Sequence, residues 1–214
     1  MPLQNRVTPQ GDFIAVEVRG LFMGNRGGRL HDPVARTLGR RRMVSRRWIT
    51  CVLDFNGRRR EVWGRSYTEL FFLDEVTALA AGHRPCVECR HAAANAFRSA
   101  YCEGNGLAAA TISFDEIDRR LHAERAERRE GHLAARRHEA DIASLPDGAI
   151  IDDGEQTLAV RGGKLLVWTP SGYAAGRVRA QRGTVSVLTP PSTIAALVAG
   201  YRPVWHPTAA GLTA

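Results

Sequence analysis

The sequence is 214 residues long, 44% hydrophobic and 24% charged, with a net charge of +8. That balance fits a soluble globular core, and no run approaches the roughly 18 apolar residues that a membrane span needs. No apolar segment follows the opening MPLQNRVTPQGDF, so no secretory signal is expected. Four cysteines, two of them in a C-x-x-C, favour metal or redox chemistry in the cytoplasm over a disulfide framework.

The charge is unevenly placed. Residues 1–102 hold 17 arginines against 9 acids, whereas residues 103–214 hold 13 basic and 13 acidic groups. An excess confined to one half points to a polyanionic partner, nucleic acid above all. A GC-rich genome would favour arginine over lysine everywhere, but it would not restrict the excess to one half.

In chain order, residues 13–23 alternate and predict a strand that runs into the glycine-rich turn GNRGGRLHDP. Glycines 24, 27 and 28 allow the backbone to approach a phosphate, with Asn25, Arg26 and Arg29 as donors; a plain turn has the same composition. Six arginines follow between 36 and 47. Of these, Arg40, Arg41, Arg42, Arg46 and Arg47 are candidates for a nucleic-acid backbone, against the alternative of a solvated run. Residues 48–55 predict a strand and 60–67 its return, joined by the hairpin signal Asn56-Gly57. Trp48, Trp63 and Tyr67 are available for stacking on bases or for core packing.

Residues 69–74 predict a third strand, and 74–82 a short helix with acids in its first turn and Gly82 at its end. A longer helix follows over 90–102, with Phe97 and Tyr101 on one face. The charged stretch 113–145 predicts a solvated helical connector, opened by the capping box Ser113/Glu116 and striped by Ile117, Leu121 and Leu133, with a break at Gly131. Beyond it, short strands with glycine turns lead to a closing helix over 191–200. The stretch TALAAGHRP (77–85) is echoed by AALVAGYRP (195–203) at six of nine positions. The echo reads either as a duplicated strand–helix–turn unit or as a chance match of simple residues. In the second copy Val204 and Pro207 stand where Cys86 and Cys89 stand in the first.

The expected class is therefore α+β, in three parts: a basic treble-clef-like zinc-knuckle domain (1–104), a charged helical connector (105–145), and a β-rich part (146–214) that is a degenerate copy of the first if the echo is a repeat. Two thiolates two residues apart can point at one tetrahedral ion, and zinc wants four protein ligands, or three and an open position. The preferred set is His31, Cys51, Cys86 and Cys89, from a loop, a strand and a knuckle; His83 comes next, then His91 and Cys102. A redox C-x-x-C is the rival, although the thioredoxin-like βαβ context is missing, and unpaired structural thiols are a third reading.

These residues also carry a resemblance. ELFFLDEVTALAAGHRPCVECR (69–90) resembles the second half of the metal-binding domain of Ada-type DNA repair proteins, where a strand, a short Ala-rich helix and a Gly-x-Arg-Pro-Cys-x-x-Cys knuckle recur in this order. The resemblance implies zinc, with Cys86 and Cys89 as the second pair of ligands and a surface facing DNA. The family's first pair, a C-x-x-x-C that includes the methyl acceptor, has no counterpart here, so Cys51 and His31 would have to replace it at altered spacing.

Other groups are weaker. His122 near Glu124 and Arg125, and His138 near Glu139 and Asp141, do not share helical faces and read as surface charge. Glu69, Asp74 and Glu75 lie close to the knuckle. Trp168, Tyr173, Tyr201, Trp205 and His206 gather late in the chain as a pocket or a core. The leading expectation is a zinc protein that binds nucleic acid, in DNA repair or processing, with structural zinc. The alternatives are a zinc-dependent hydrolase using His31 or a water with Glu69 or Glu75 as base, and a non-catalytic interaction module.

Overall fold

Alternation along short strands builds the first half around one sheet. The computed structural model describes residues 1–58, 61–108, 112–129 and 132–212. β1 (Gln4–Val7), β2 (Phe13–Ala15), β3 (Phe22–Asn25), β6 (Ile49–Cys51), β7 (Leu70–Phe72) and β8 (Arg84–Pro85) form a six-stranded sheet in the order β2-β1-β7-β3-β6-β8. β4 (His31–Asp32) and β5 (Thr37–Leu38) make a separate small hairpin. The single strand expected over 13–23 is two. Between them the chain crosses so close to β7 that a Cβ on Gly20 would lie 1.8 Å from the Phe72 carbonyl oxygen.

The return strand expected over 60–67 does not form in the described part of that segment; Arg60 lies outside the described residues. Asn56 and Gly57 do take up the left-handed φ values, 54° and 63°, of a type I′ turn. Both edges of β6 are already occupied, however. β3 pairs with it antiparallel, Met23 opposite Cys51, and β8 pairs with it parallel, Ile49 with Arg84 and Thr50 with Pro85.

α1 (Glu75–Ala80) is capped by Asp74, whose carboxylate accepts from Thr77 N at 2.8 Å. α2 (His91–Gly104) buries Phe97 and Tyr101 completely, as their spacing requires. The charged stretch is helical only in α3 (Phe114–Arg125), where Ser113 caps Glu116 N. It then turns into β9 (Ala126–Arg129), β10 (His132–Ala135) and β11 (His138–Asp141), strands instead of a continued connector. Gly131 and the side chain of Leu133 lie outside the described residues. α3 ends where Arg125 is drawn inward: its guanidinium lies 3.8 Å from the Trp48 ring and donates to the Gly82 and Arg46 carbonyls.

The second sheet is antiparallel throughout, in the order β11-β16-β12-β13-β14-β15. Its further strands are β12 (Ile150–Asp152), β13 (Thr157–Arg161), β14 (Lys164–Thr169), β15 (Gly172–Val178) and β16 (Thr184–Val187). α4 (Pro191–Val198) follows. The echoed stretches end α1 and α4 with the same three hydrogen bonds. Ala81, Gly82 and His83 donate to Thr77, Leu79 and Ala78, and Ala199, Gly200 and Tyr201 donate to Ala195, Leu197 and Ala196. Shared residues thus encode a shared helix stop. The sheets beside the two helices differ in topology, since the first mixes parallel and antiparallel pairs.

The cores cross the boundaries expected at 104 and 145. Leu73, Val76 and Ala80 pack with Ile150, Ala159, Leu166 and Tyr173, and Phe97 and Tyr101 pack with Ala196, Leu197 and Tyr201. No described helix is long and apolar enough to cross a membrane.

Candidate metal centre

The pairing of β6 with β8 determines where the thiols meet. Cys51 ends β6, and Cys86 follows β8 with its N–H donating to Thr50 O at 2.9 Å. The turn 86–89 then carries Cys89 back toward Cys51; its closing bond runs from Arg90 N to Cys86 O at 3.0 Å. The ligand atoms of Cys51, Cys86 and Cys89 all lie within 4.8 Å of one another. Zinc–sulfur bonds of about 2.3 Å in a tetrahedron place sulfurs about 3.8 Å apart, so the three fit one ion. Among the described residues no fourth His, Cys, Asp or Glu joins them.

The cluster favours thiolate at two positions. The neighbouring Cys86 and Cys89 sulfurs, together with burial, push the pKa of the Cys51 thiol up. Cys86 is held down at about 5, first by that thiol and then by the backbone N–H groups of Cys89 and Glu88. Cys89 is lowered by Cys51 and by the Val52 N–H. Backbone donors aimed at sulfur prepare the site for a cation.

The sulfurs do not face a closed interior. They line a cavity of about 320 Å³ whose floor is one face of the first sheet. The register sets Cys51, Met23 and Phe71 in one row across β6, β3 and β7. Ile49 pairs with Asn25 in the next row, and continuing the β3–β7 register by one residue brings Glu69 opposite Asn25. Val52, Leu53, Phe55, Arg58, Val62 and Tyr67 close the other side. Glu69 is 2% exposed: Oε2 accepts from Trp63 N at 2.8 Å, while Oε1 has no hydrogen-bond partner. At the rim, Arg58 pairs with Glu88 at 2.8 Å.

His31, the expected fourth ligand, is engaged elsewhere. Its ring nitrogens meet Thr68 Oγ1 at 2.7 Å and Gly64 O at 2.9 Å, and the ring stacks on Trp63. Nε2 donates to the carbonyl and Nδ1 accepts from the hydroxyl, so both ring nitrogens are committed to loop packing. His83 is buried between Trp48 and Phe72, His91 contacts Asn95 on α2, and Cys102 is buried in the core of α2. Glu75 is also committed, accepting from Tyr201 Oη at 2.6 Å, Arg90 at 2.9 Å and Val204 N at 3.0 Å. Asp74 holds Thr77, Tyr173 and His206 N. Of Glu69, Asp74 and Glu75, Glu69 is the one that lines the cavity, and its Oε1 is buried without a partner.

The expected phosphate contacts divide. Arg26 is 2% exposed and lies 3.8 Å from the Trp48 ring, donating to Gly11 O, Arg42 O and His83 Nε2; it is a core residue, not a surface one. Asn25 accepts from Gly27 N and lines the cavity, so its oxygen serves the turn. Arg42 is half-buried, donating to Gly39 O and lying over Phe13. Arg29, Arg40, Arg41, Arg46 and Arg47 are exposed, although Arg29 donates to Arg65 O and Arg47 pairs with Asp115 at 3.0 Å. Trp48 and Trp63 are buried, so neither offers a ring to a base. The late aromatics also belong mainly to the core: Tyr173 and Trp205 pack together, and the Trp168 indole donates to Thr77 Oγ1.

The cavity's far wall was not legible from the knuckle alone. The signal lies in the period-two pattern of β7, which puts Glu69 and Phe71 on the side of Met23 and Cys51. Compared with known proteins, the chain matches no family, no curated protein and no solved structure.

Proposed function

We propose that this is a zinc protein in which Cys51, Cys86 and Cys89 hold the ion and its fourth position opens onto the cavity. The observation that carries the reading is the meeting of three thiols on a cavity wall. Three protein ligands with an open position are the arrangement of zinc sites that act on a ligand, whereas closed sets of four are the arrangement of structural ones. A zinc ion bound there would supply Lewis acidity to an oxygen or nitrogen donor in the cavity. The protein's own share is to exclude water with Met23, Phe55 and Phe71 and to present Glu69 as a proton acceptor. The working hypothesis is thus a zinc-dependent enzyme or ligand-binding centre, with the Ada-type resemblance of 69–90 consistent with zinc.

Metal analysis and cobalt substitution test this. The expected result is one zinc per chain and a thiolate–cobalt spectrum that changes when imidazole is added. An unchanged spectrum would make the metal a staple, and a metal-free protein with freely titrating thiols would leave only the interaction-module reading.

A specific observation also supports nucleic acid as the partner. A surface groove leads from Arg47 past Phe114 and Val87 to Cys86; Glu88 and Asp115 line it too, and its two arginines, Arg47 and the buried Arg84, are paired with Asp115 and Asp118. A strand lying on Arg46 and Arg47 would pass beside the metal centre. Binding to single- and double-stranded DNA that weakens steeply with salt is the expected result, and a flat affinity would remove the arginine argument.

A further inference from the structure

The floor of the cavity places the sulfurs and Glu69 at two ends of one sheet face. Glu69 lies two strands across and one row along from Cys51, a separation of about 12 Å between α-carbons at ordinary sheet spacings. The side chains of both residues line the space between. Its remaining walls are mostly apolar: Met23, Ile49, Val52, Leu53, Phe55 and Phe71.

Charge narrows what can fill it. A buried carboxylate oxygen without a donor is costly, and Glu69 Oε1 is one. The thiolate cluster at the other end is also electron-rich. Arg58, the basic residue among the described lining, is tied to Glu88 at the rim. Among the described residues, a phosphate would meet acceptors and no free cation. A ligand with an N–H donor would complete Glu69, and apolar walls ask for a flat or compact body.

We infer that the cavity is a binding site for a planar nitrogen heterocycle of nucleobase size, whose N–H group donates to Glu69 Oε1 while a ring nitrogen faces the three cysteines. This deepens the proposed function and rests on it only for the end that faces the metal. It assigns the base, not the phosphate, as the part of a nucleic-acid-like ligand that enters the cavity. The exposed arginines would handle the backbone outside.

The test uses benzimidazole and N-methylbenzimidazole as probes, titrated calorimetrically into the full-length zinc-loaded protein. Both offer a metal-binding ring nitrogen, but only the first has an N–H for Glu69. The expected result is binding of benzimidazole about tenfold tighter than of its methylated form, in line with a hydrogen bond to a charged acceptor. Glu69→Gln should reduce that preference to near unity. A filled cavity in Met23→Trp should abolish binding of both probes. Equal affinities for the two probes in the unaltered protein, or no binding of either, would overturn the assignment whether or not the variants fold. Zinc content measured on the same samples separates the two readings. Donor-dependent binding without zinc would keep the heterocycle site and remove the metal, and zinc without donor-dependent binding would do the reverse.

Discussion

Cys51 and Cys86 are held side by side by a two-rung parallel ladder, Ile49 with Arg84 and Thr50 with Pro85, continued by the bond from Cys86 N to Thr50 O. Their proximity is thus a property of strand pairing and does not depend on an ion to create it. Serine at position 51, 86 or 89 should lower zinc content below about a tenth per chain under dilute chelator, while Cys102→Ser and His31→Gln should load normally. Elemental analysis of the five purified variants checks this. Normal loading of Cys51→Ser would remove the strand from the site.

The ladder depends on a buried ion pair. Arg84 Nε and Nη2 each donate to Asp118 at 2.8 Å, both side chains almost fully enclosed, which ties α3 to the knuckle. Asp118→Ala leaves the guanidinium buried and unpaired, at an expected cost of about 3–5 kcal/mol. Replacing both partners, Arg84→Met with Asp118→Leu, should recover much of that loss. Denaturant melts of the three proteins make the comparison; equal stability of the single and double variants would show that the loss does not come from an unpaired buried charge.

Acid should weaken the fold through His83. Burial, with the Arg26 and Arg125 guanidinium groups beside it, holds this histidine well below its ordinary range. The unfolded chain takes up a proton near pH 6.5 that the folded chain refuses, so stability falls as pH drops below that value. The slope expected from His83 approaches about 1.4 kcal/mol per pH unit, and His83→Gln should remove it while keeping an acceptor for Arg26. His122 and His138, also lowered by burial, add a shallower fall that the variant retains. Urea melts between pH 7 and 5 measure the difference, and parallel slopes would contradict it.

The arginines should separate by burial. Ala at 46 or 47 should reduce the salt slope of DNA binding by about one unit each with little change in melting temperature. Arg26→Ala should instead destabilise the protein, since it removes the stacking on Trp48 and three hydrogen bonds, one of them fully buried. Salt titrations and thermal melts of the same samples distinguish the two behaviours.

What could be read in advance follows how local each feature is. The knuckle, α1 with its Asp74 cap, the apolar face of α2 and the strands after 146 are written in neighbouring residues. Cys51 was within reach because a cysteine on a strand has few other uses. His31 misled because nothing nearby in sequence announces Thr68 and Gly64 as its partners. The missing return strand has the same cause: the edges of β6 are filled by β3 and β8, one from before it and one from well after. Burial of Arg26 and Arg125 against one tryptophan is invisible to a reading that treats arginine as surface charge, and it also explains why the charged helix stops at 125.

Asp74 and Glu75 reach far along the chain. The first accepts from Tyr173 Oη and His206 N, the second from Tyr201 Oη and Val204 N. The three cysteines all precede residue 90, yet the helix leading to the knuckle is fastened both by its neighbours Thr77 and Arg90 and by Tyr173, Tyr201, Val204 and His206 from the second half. A loosening of the second half would thus reach the knuckle through two adjacent carboxylates, although none of those four residues pairs with the cysteine ladder itself.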